Sequence, residues 1–181
     1  MSKELEVKIL DVDVKEIEIK LKSLNAILVN KELQVNTLID SYQNPISKVT
    51  DGYLRIRESK DLLRNTSTTT MTFKKNIDND QIRENIEYNV DIEDRDSMLE
   101  VLKALGYNKI TIGYKERTSY KINNAQVDID QWDKDTYPYP YIEIEVEDQE
   151  ELYEIVKLLN IPMDKISTKS IIQLRKELKL E

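Results

Sequence analysis

Apolar and polar residues alternate along much of the chain, a pattern typical of strands with one buried face. The N-terminal stretch sets three apolar residues against three charged ones, namely Leu5, Val7 and Ile9 against Glu4, Glu6 and Lys8. Alternation and β-prone composition predict further strands over residues 33–42, 53–58, 71–74, 82–90, 114–121, 126–132 and 141–147. The Thr- and Ser-rich residues 65–70 are expected to form a connection, and residues 76–80 a hairpin loop.

Other segments show the helical spacing of apolar residues, each behind a capping residue. Asp13, Asp94 and Asp148 stand at the predicted starts of helices over 13–26, 94–105 and 148–159, and Gly106 is placed to end the second. A last helix is expected to start at Ser167 or Thr168. The apolar faces are predicted to include Met98, Leu99, Leu102 and Leu105 in the second helix and Ile171, Leu174 and Leu178 in the last.

Strand, acidic cap and helix recur as a unit at residues 4–26, 86–106 and 142–160. The spacing is unequal, so the unit does not indicate a solenoid. The intervening strands are of the antiparallel type, which favours an α+β fold: a sheet or closed barrel flanked by helices. With 181 residues, the chain is interpreted as a single domain over 1–181.

Composition excludes several kinds of chemistry. The formal charge of −8 argues against a broad nucleic-acid or anionic-membrane surface. The absence of Cys and His removes disulfides, thiolate chemistry and imidazole acid–base catalysis, and three glycines are too few for a phosphate-binding loop. Because no apolar signal segment or membrane span is visible, a cytoplasmic protein is expected. A homodimer is left open.

The charged strand faces are sorted by sign. Basic faces carry Arg55 with Arg57 and Lys115 with Arg117 and Lys121, whereas acidic faces carry Asp128 with Asp130 and Glu143 with Glu145 and Glu147. Strands closed around a lumen would set a basic wall against an acidic wall. Arginines suit phosphate, and carboxylates suit hard cations such as Mg²⁺ or Mn²⁺. The alternative is that these faces lie in water or pair with each other.

An ordered set of short motifs resembles the CYTH superfamily, which includes class IV adenylate cyclases, thiamine triphosphatases and other triphosphate tunnel metalloenzymes. The motifs are Glu4-x-Glu6-x-Lys8, Leu54-Arg55-Ile56-Arg57, Thr72-Phe73-Lys74, Lys115-x-Arg117, Asp130-x-Trp132 and Tyr141-Ile142-Glu143-Ile144-Glu145. Gln34, Asp40 and Tyr42 extend the likeness, which covers nearly the whole chain.

The resemblance implies an antiparallel eight-stranded tunnel that binds a linear triphosphate. The phosphate ligands that it implies are Lys8, Arg55, Arg57, Lys74, Arg83, Lys115, Arg117 and Lys169. The metal-binding or metal-positioning carboxylates that it implies are Glu4, Glu6, Glu87, Asp130, Glu143 and Glu145. One departure is that Arg83 is followed by Asn85, Glu87 and Asn89, so an amide replaces a carboxylate that the family pattern carries.

The expected function is divalent-metal-dependent processing of a small-molecule triphosphate, most simply its hydrolysis. Lys8, which we expect to be crowded by cations, is the candidate for activating water. Three alternatives remain open: a class IV adenylate cyclase, a non-catalytic polyphosphate or nucleotide binder, and a plain scaffold domain. A nucleoside pocket is not visible in the sequence; Trp132 and the Tyr-Pro run at 137–141 are interpreted as packing and strand entry.

Overall fold

The computed structural model describes residues 2–77 and 83–180, and leaves the side chains of residues 2–4 and 83 outside the description. The strands are β1 (Ser2–Ile9), β2 (Ile27–Asp40), β3 (Gly52–Asp61), β4 (Thr66–Ile77), β5 (Arg83–Asp91), β6 (Lys109–Ile122), β7 (Ala125–Trp132), β8 (Tyr141–Val146) and β9 (Ile166–Ser167). The α-helices of this part of the chain are α1 (Val14–Ser23), α2 (Arg95–Ala104), α3 (Gln149–Leu158) and α4 (Ile171–Glu177).

Eight strands close into an antiparallel barrel. They follow the order β5-β4-β3-β2-β6-β7-β8-β1, and β1 also pairs with β5, so the sheet meets itself. Residues 2–6 of β1 pair with β5 and residues 5–9 pair with β8, while the short β9 adds to the end of β1. The predicted α+β class and closed barrel are confirmed.

The apolar core lies outside the barrel, between its outer surface and the helices. Val7 and Ile9 of β1 and Ile142 and Ile144 of β8 pack against α1 and α3, which contribute Leu21 and Ile155 among others. A second cluster packs Leu99 and Leu102 of α2 on Ile39 and Ile56. Since strand side chains alternate, the residues between these apolar positions point into the barrel. The lumen is therefore polar.

Helix starts match the capping residues predicted from the sequence at three of the four helices. Asp13, Asp94 and Asp148 accept hydrogen bonds from backbone N–H groups in the first turns of α1, α2 and α3. Gly106 follows α2 with φ of +92°, the left-handed conformation that glycine adopts without a Cβ clash. The predicted start of α4, at Ser167 or Thr168, was wrong by two or three residues. The N-cap is Ser170, and its hydroxyl and backbone N–H form a capping box with Gln173.

Strand lengths were underestimated. Residues 66–70 are not a connection but the first part of β4, paired with residues 57–61 of β3, because β-branched Thr residues suit a ladder. The turn lies over residues 62–65, where the Asp61 carboxylate accepts hydrogen bonds from the backbone of Leu63 and Arg64. β2 and β6 likewise begin earlier than predicted, at Ile27 and Lys109.

Two predicted core residues are on the surface. Leu105 is 70% exposed because it lies beyond the last turn of α2, and Leu178 is 41% exposed at the end of α4. The predicted loop over 76–80 is only partly described: β4 continues to Ile77, and residues 78–80 lie outside the described residues. No helix in the described part of the chain has the length and apolar character needed to span a bilayer.

Candidate active site

A central cavity of about 300 Å³ occupies the barrel lumen. It is lined by charged side chains from six strands, among them Glu6, Lys8, Arg55, Arg57, Lys74, Glu87, Lys115, Arg117, Glu143 and Glu145. These ten residues were all predicted from the sequence as site residues, and the fold brings them together. Of the remaining four, Asp130 and Lys169 are not among the residues that line the cavity, and the side chains of Glu4 and Arg83 lie outside the described residues.

Arg55 and Arg57 of β3 differ from the other cavity cations in having no carboxylate within ion-pair distance among the described residues. Arg57 donates from Nε to the side-chain oxygen of Asn36 at 3.1 Å. The Nε atom of Arg55 is buried without a hydrogen-bond partner in the described part of the chain. Burial, together with the charges of Arg55 and Arg117, lowers the pKa of Arg57 to about 10. This pair of arginines is therefore under-neutralised and suited to an anion.

Lys8 and Lys74 lie among carboxylates. The Lys8 Nζ atom is 2.8 Å from Glu143 and 3.8 Å from Glu6, and the Lys74 Nζ atom is 2.8 Å from Glu87 and 3.2 Å from Glu6. Burial alone would lower the pKa of Lys74, but Glu6 and Glu87 outweigh it and raise the pKa above its ordinary value. The expectation that Lys8 is crowded by cations was wrong, because its nearest charged neighbours are acidic.

Arg117 of β6 is surrounded by three carboxylates. It forms a two-point ion pair with Asp130 at 2.7 and 2.6 Å, and its other contacts are to Asp128 and Glu143, each at 2.5 Å. Burial alone would lower the pKa of Arg117, but these carboxylates raise it well above its ordinary value. Most of the five N–H groups of this guanidinium are therefore already committed to the protein.

Asp130 was predicted to be a metal-associated carboxylate. It is fully buried, is not among the residues that line the cavity, and accepts hydrogen bonds from Lys115 at 2.8 Å as well as from Arg117. Burial would raise its pKa, but Arg117 and Lys115 lower it below the ordinary value. These contacts favour a positioning role for Asp130, and its role as a metal-associated carboxylate stays a prediction from the family resemblance.

The predicted separation into a basic and an acidic wall holds only in part. Lys115 and Arg117 pair with acidic β7 beside them, and Lys8 pairs with neighbouring β8, so most cations alternate with carboxylates around the barrel. For Lys8, Lys115 and Arg117 the alternative interpretation therefore applies: their charges pair with carboxylates of the protein itself. Among the described residues, the cavity cations without a carboxylate partner are Arg55 and Arg57 of β3.

Lys115 differs from Lys74 in that its pKa is lowered. Burial and the adjacent Arg117 lower its pKa to about 8, despite the opposing effect of Asp130. Its Nζ atom lies 5.3 Å from the ring centre of Trp132, within range of a cation–π contact. Lys115 therefore exchanges its proton in a pH range close to neutrality.

Carboxylates that could meet a metal ion come together on β1 and β8. Glu6 and Glu145 are direct cross-strand partners and both line the cavity, as does Glu143. Like charges directly opposite each other are unfavourable unless a cation lies near them. Within the described residues, no group of three acidic side chains is close enough to hold a metal alone. This donor set still fits Mg²⁺ or Mn²⁺, since Mg²⁺ commonly takes one or two carboxylates and completes its shell with water and phosphate oxygens.

Two predicted residues fall outside the described side chains. Glu4 pairs in register with Asn85 and Arg83 pairs with Glu6, but the side chains of Glu4 and Arg83 lie outside the described residues. The two asparagines of this strand differ in burial: Asn85 is fully buried, whereas Asn89 is exposed. Asn89 accepts a hydrogen bond from Thr72 at 2.7 Å and donates one to Glu87 at 3.4 Å.

The C-terminal helix contributes to the cavity through residues other than the predicted one. Lys169 is about half exposed and pairs with Glu177 at 2.5 Å, and it is not among the residues that line the cavity. Instead Ser170, Ile171, Ile172 and Arg175 line it. Arg175 donates hydrogen bonds to the backbone carbonyls of Asp135 and Thr136, which fixes α4 against the segment before β8.

Sequence reasoning also missed cavity residues without formal charge. Tyr53 shares its strand face with Arg55, and Tyr141 shares its face with Glu143, so alternation could have identified both. Trp132 both packs beside α4 and lines the cavity, where its indole N–H donates to the hydroxyl of Tyr141 at 2.9 Å.

The sequence of the chain is similar to sequences of known proteins. A sequence model of the CYTH domain matches residues 2–171. A Methanocaldococcus jannaschii protein named "putative adenylate cyclase" is 31% identical over 186 residues, covering 95% of this chain and 98% of its own.

Solved structures share the fold at lower identity. A Pyrococcus horikoshii protein superposes with a TM-score of 0.80 at 24% identity, covering 97% of this chain and 99% of its own. A Hippeastrum protein, described as an adenylyl cyclase candidate with a dominant triphosphatase activity, superposes with a TM-score of 0.67 at 16% identity, covering 98% of this chain and 96% of its own.

Proposed function

The chain belongs to the CYTH domain family, and from this membership we propose that it is a metal-dependent enzyme that binds a linear triphosphate in the central cavity and hydrolyses it. The observation that carries the proposal is the β3 pair: two partly buried arginines, Arg55 and Arg57, without a carboxylate partner among the described residues. A phosphate chain would supply the missing negative charge and accept two-point hydrogen bonds from each guanidinium.

The cavity cations are proposed to share the phosphates unequally. Arg55 and Arg57 make the primary contacts, and Lys8 and Lys74 add contacts from the β1 and β4 sides while keeping their carboxylate partners. Lys115 adds a further contact. Arg117 is proposed mainly to hold Asp128, Asp130 and Glu143 in place, because its donors are largely used. Arg83 and Lys169 stay predictions from the family resemblance.

Glu6, Glu143 and Glu145, with Glu4 two residues before Glu6, are the residues that would hold Mg²⁺ or Mn²⁺, and Glu87 stays a further prediction. A divalent ion supplies charge neutralisation at phosphate oxygens when bound. The side chains that line the cavity orient the phosphates, limit the access of water and stabilise negative charge on the phosphoryl oxygens. No side chain is assigned as a base, because Lys8 lacks the cationic surroundings that suggested this role.

The second candidate function is conversion of a nucleoside triphosphate to its cyclic monophosphate and pyrophosphate. Part of the cavity wall is apolar or aromatic, with Leu38, Tyr53 and Ile172 among its residues, and could accept an organic group. The name of the Methanocaldococcus jannaschii relative points the same way. Both reactions would use the same phosphate-binding residues and differ in the nucleophile. A cytoplasmic location and a homodimer stay predictions from the sequence.

The deciding experiment incubates the protein with tripolyphosphate, ATP and thiamine triphosphate in turn, with Mg²⁺ or Mn²⁺, and measures phosphate, pyrophosphate and cyclic AMP separately. Phosphate release from a triphosphate supports hydrolysis, and cyclic AMP with pyrophosphate supports the cyclase. The double variant Arg55→Gln/Arg57→Gln, which should be inactive, excludes a contaminating phosphatase. Lys60→Gln, an exposed charge on the same strand, is the matched control and should keep full activity. Tight binding without any product would contradict the enzyme proposal and support a binder.

A further inference from the structure

Tyr141 is a buried phenol at the start of β8, with only 1% of its surface exposed. It lines the central cavity on the same strand face as Glu143, and the Nζ atom of Lys8 lies 6.0 Å from the centre of its ring. The nearby Tyr137 is almost as buried and packs edge-on against it at 5.9 Å between ring centres. Tyr137, however, is not one of the residues that line the cavity.

The hydrogen bond from Trp132 determines the direction in which the Tyr141 hydroxyl can donate its own hydrogen. The Trp132 Nε1 atom lies 2.9 Å from the Tyr141 oxygen, and an indole N–H can donate but cannot accept. The phenol oxygen must therefore be the acceptor, and its own hydrogen must point away from the indole. Within the part of the chain that the structure describes, the Tyr141 hydroxyl accepts this hydrogen bond and donates none. A buried donor left unmatched is costly, so a partner is expected.

The hydroxyl carries no charge, because a phenol ionises only at about pH 10. The group is thus a neutral donor near neutral pH. A neutral donor can add direction to phosphate binding without repelling Lys8.

We propose that the Tyr141 hydroxyl, oriented by Trp132, donates a hydrogen bond to a non-bridging phosphate oxygen of the bound triphosphate. The inference rests on the proposed function and deepens it, because it adds to the site a binding residue that carries no charge. Tyr141 fixes the position of the phosphoryl group next to Lys8, and Trp132 acts through Tyr141 as a positioning residue.

The test compares four variants in the tripolyphosphatase assay with Mg²⁺: Tyr141→Phe, Trp132→Phe, their combination, and Tyr137→Phe as the matched control. Removing the Tyr141 hydroxyl should lower kcat/KM by about ten- to a hundredfold, the usual effect of losing a hydrogen bond to a charged group. The melting temperature of the unliganded protein should change little. Trp132→Phe should lose less, and the combined variant should be no worse than Tyr141→Phe, because Trp132 acts through the missing hydroxyl.

Each result bears on the inference in a definite way. If Tyr141→Phe keeps wild-type kcat/KM, or if Tyr137→Phe loses as much, the hydroxyl does not contact the substrate and the inference fails. Independent, additive losses from Trp132→Phe and Tyr141→Phe would overturn the positioning role of Trp132. If the wild-type protein neither binds nor cleaves tripolyphosphate, the proposed function and the inference fall together; an active wild type with an unaffected Tyr141→Phe removes the inference alone.

Discussion

Arg117 and Asp130 form a two-point ion pair inside the barrel wall, with Nε to Oδ1 at 2.7 Å and Nη2 to Oδ2 at 2.6 Å. Asp130 is fully buried and accepts a third hydrogen bond, from Lys115. One carboxylate therefore holds two cavity cations in place. The pair is structural in its own right, whatever the cavity binds.

Replacing Asp130 with Asn should destabilise the fold, because two buried cations would lose their shared counter-charge. Breaking a buried ion pair by removing one partner costs about 3–5 kcal/mol. Denaturant unfolding monitored by circular dichroism would measure this loss. As a control, Glu100→Gln breaks an exposed pair with Lys103 on α2 and should cost less than about 1 kcal/mol. Equal costs for the two variants would contradict the structural role of Asp130.

At alkaline pH the protein should take up a proton when it binds triphosphate, and Lys115 should be the group that accepts this proton. The free protein loses this proton as the pH rises through about 8, whereas a bound polyanion raises the lysine pKa and retains the proton. Binding should therefore weaken above pH 8, and the unliganded fold should gain stability from this group between pH 8 and the ordinary lysine range. Calorimetry in two buffers of different ionisation enthalpy measures the uptake. Its persistence in Lys115→Met would show that another group is responsible.

Removal of divalent metal should stop turnover, and the carboxylates on β8 should set the metal requirement. Glu145→Gln is expected to raise the Mg²⁺ concentration for half-maximal activity by about tenfold or more, since it removes a candidate oxygen ligand. Glu147→Gln changes an exposed residue just beyond the same strand and should leave the requirement unaltered. Activity that survives EDTA, or identical Mg²⁺ titrations for the two variants, would refute this assignment.

The family resemblance implies that Lys169 binds phosphate, whereas in the structure Lys169 does not line the cavity, and a variant can distinguish the two. Lys169 is about half exposed and paired with Glu177. Exposed ion pairs contribute little, so Lys169→Gln should leave the KM for tripolyphosphate within about twofold of the wild-type value. Steady-state kinetics at fixed Mg²⁺ would settle the point. A rise in KM comparable to that of a cavity variant would mean that α4 rearranges around the substrate.

Strand alternation alone predicted which side of each strand faces the lumen. The period of two depends only on the strand itself, so the cavity positions of Glu6, Arg57 and Glu143 followed from the sequence. The N-cap residues Asp13, Asp94 and Asp148 located three helices for the same reason, since caps are local signals.

Cross-strand relationships could not be predicted in this way. The pairing of Arg117 with Asp130 depends on the register between β6 and β7, and the contact of Lys8 with Glu143 depends on β1 reaching β8 from the far end of the chain. Register also decides that, in the part of the chain that the structure describes, Arg55 and Arg57 are the cavity cations without a carboxylate partner. The error at residues 65–70 has a related cause: Thr and Ser occur in loops and in strands, and only the partner strand β3 distinguishes them.

The most direct test of the account is calorimetric titration of tripolyphosphate into the wild-type protein, Arg57→Gln and Lys60→Gln, in the absence of turnover. The wild type and Lys60→Gln should bind equally well, and Arg57→Gln should bind at least about tenfold more weakly, as expected for the loss of a charge-assisted two-point contact. Equal affinity of Arg57→Gln and wild type, or no binding by the wild type at all, would contradict the claim that the arginines of β3 hold a phosphate chain.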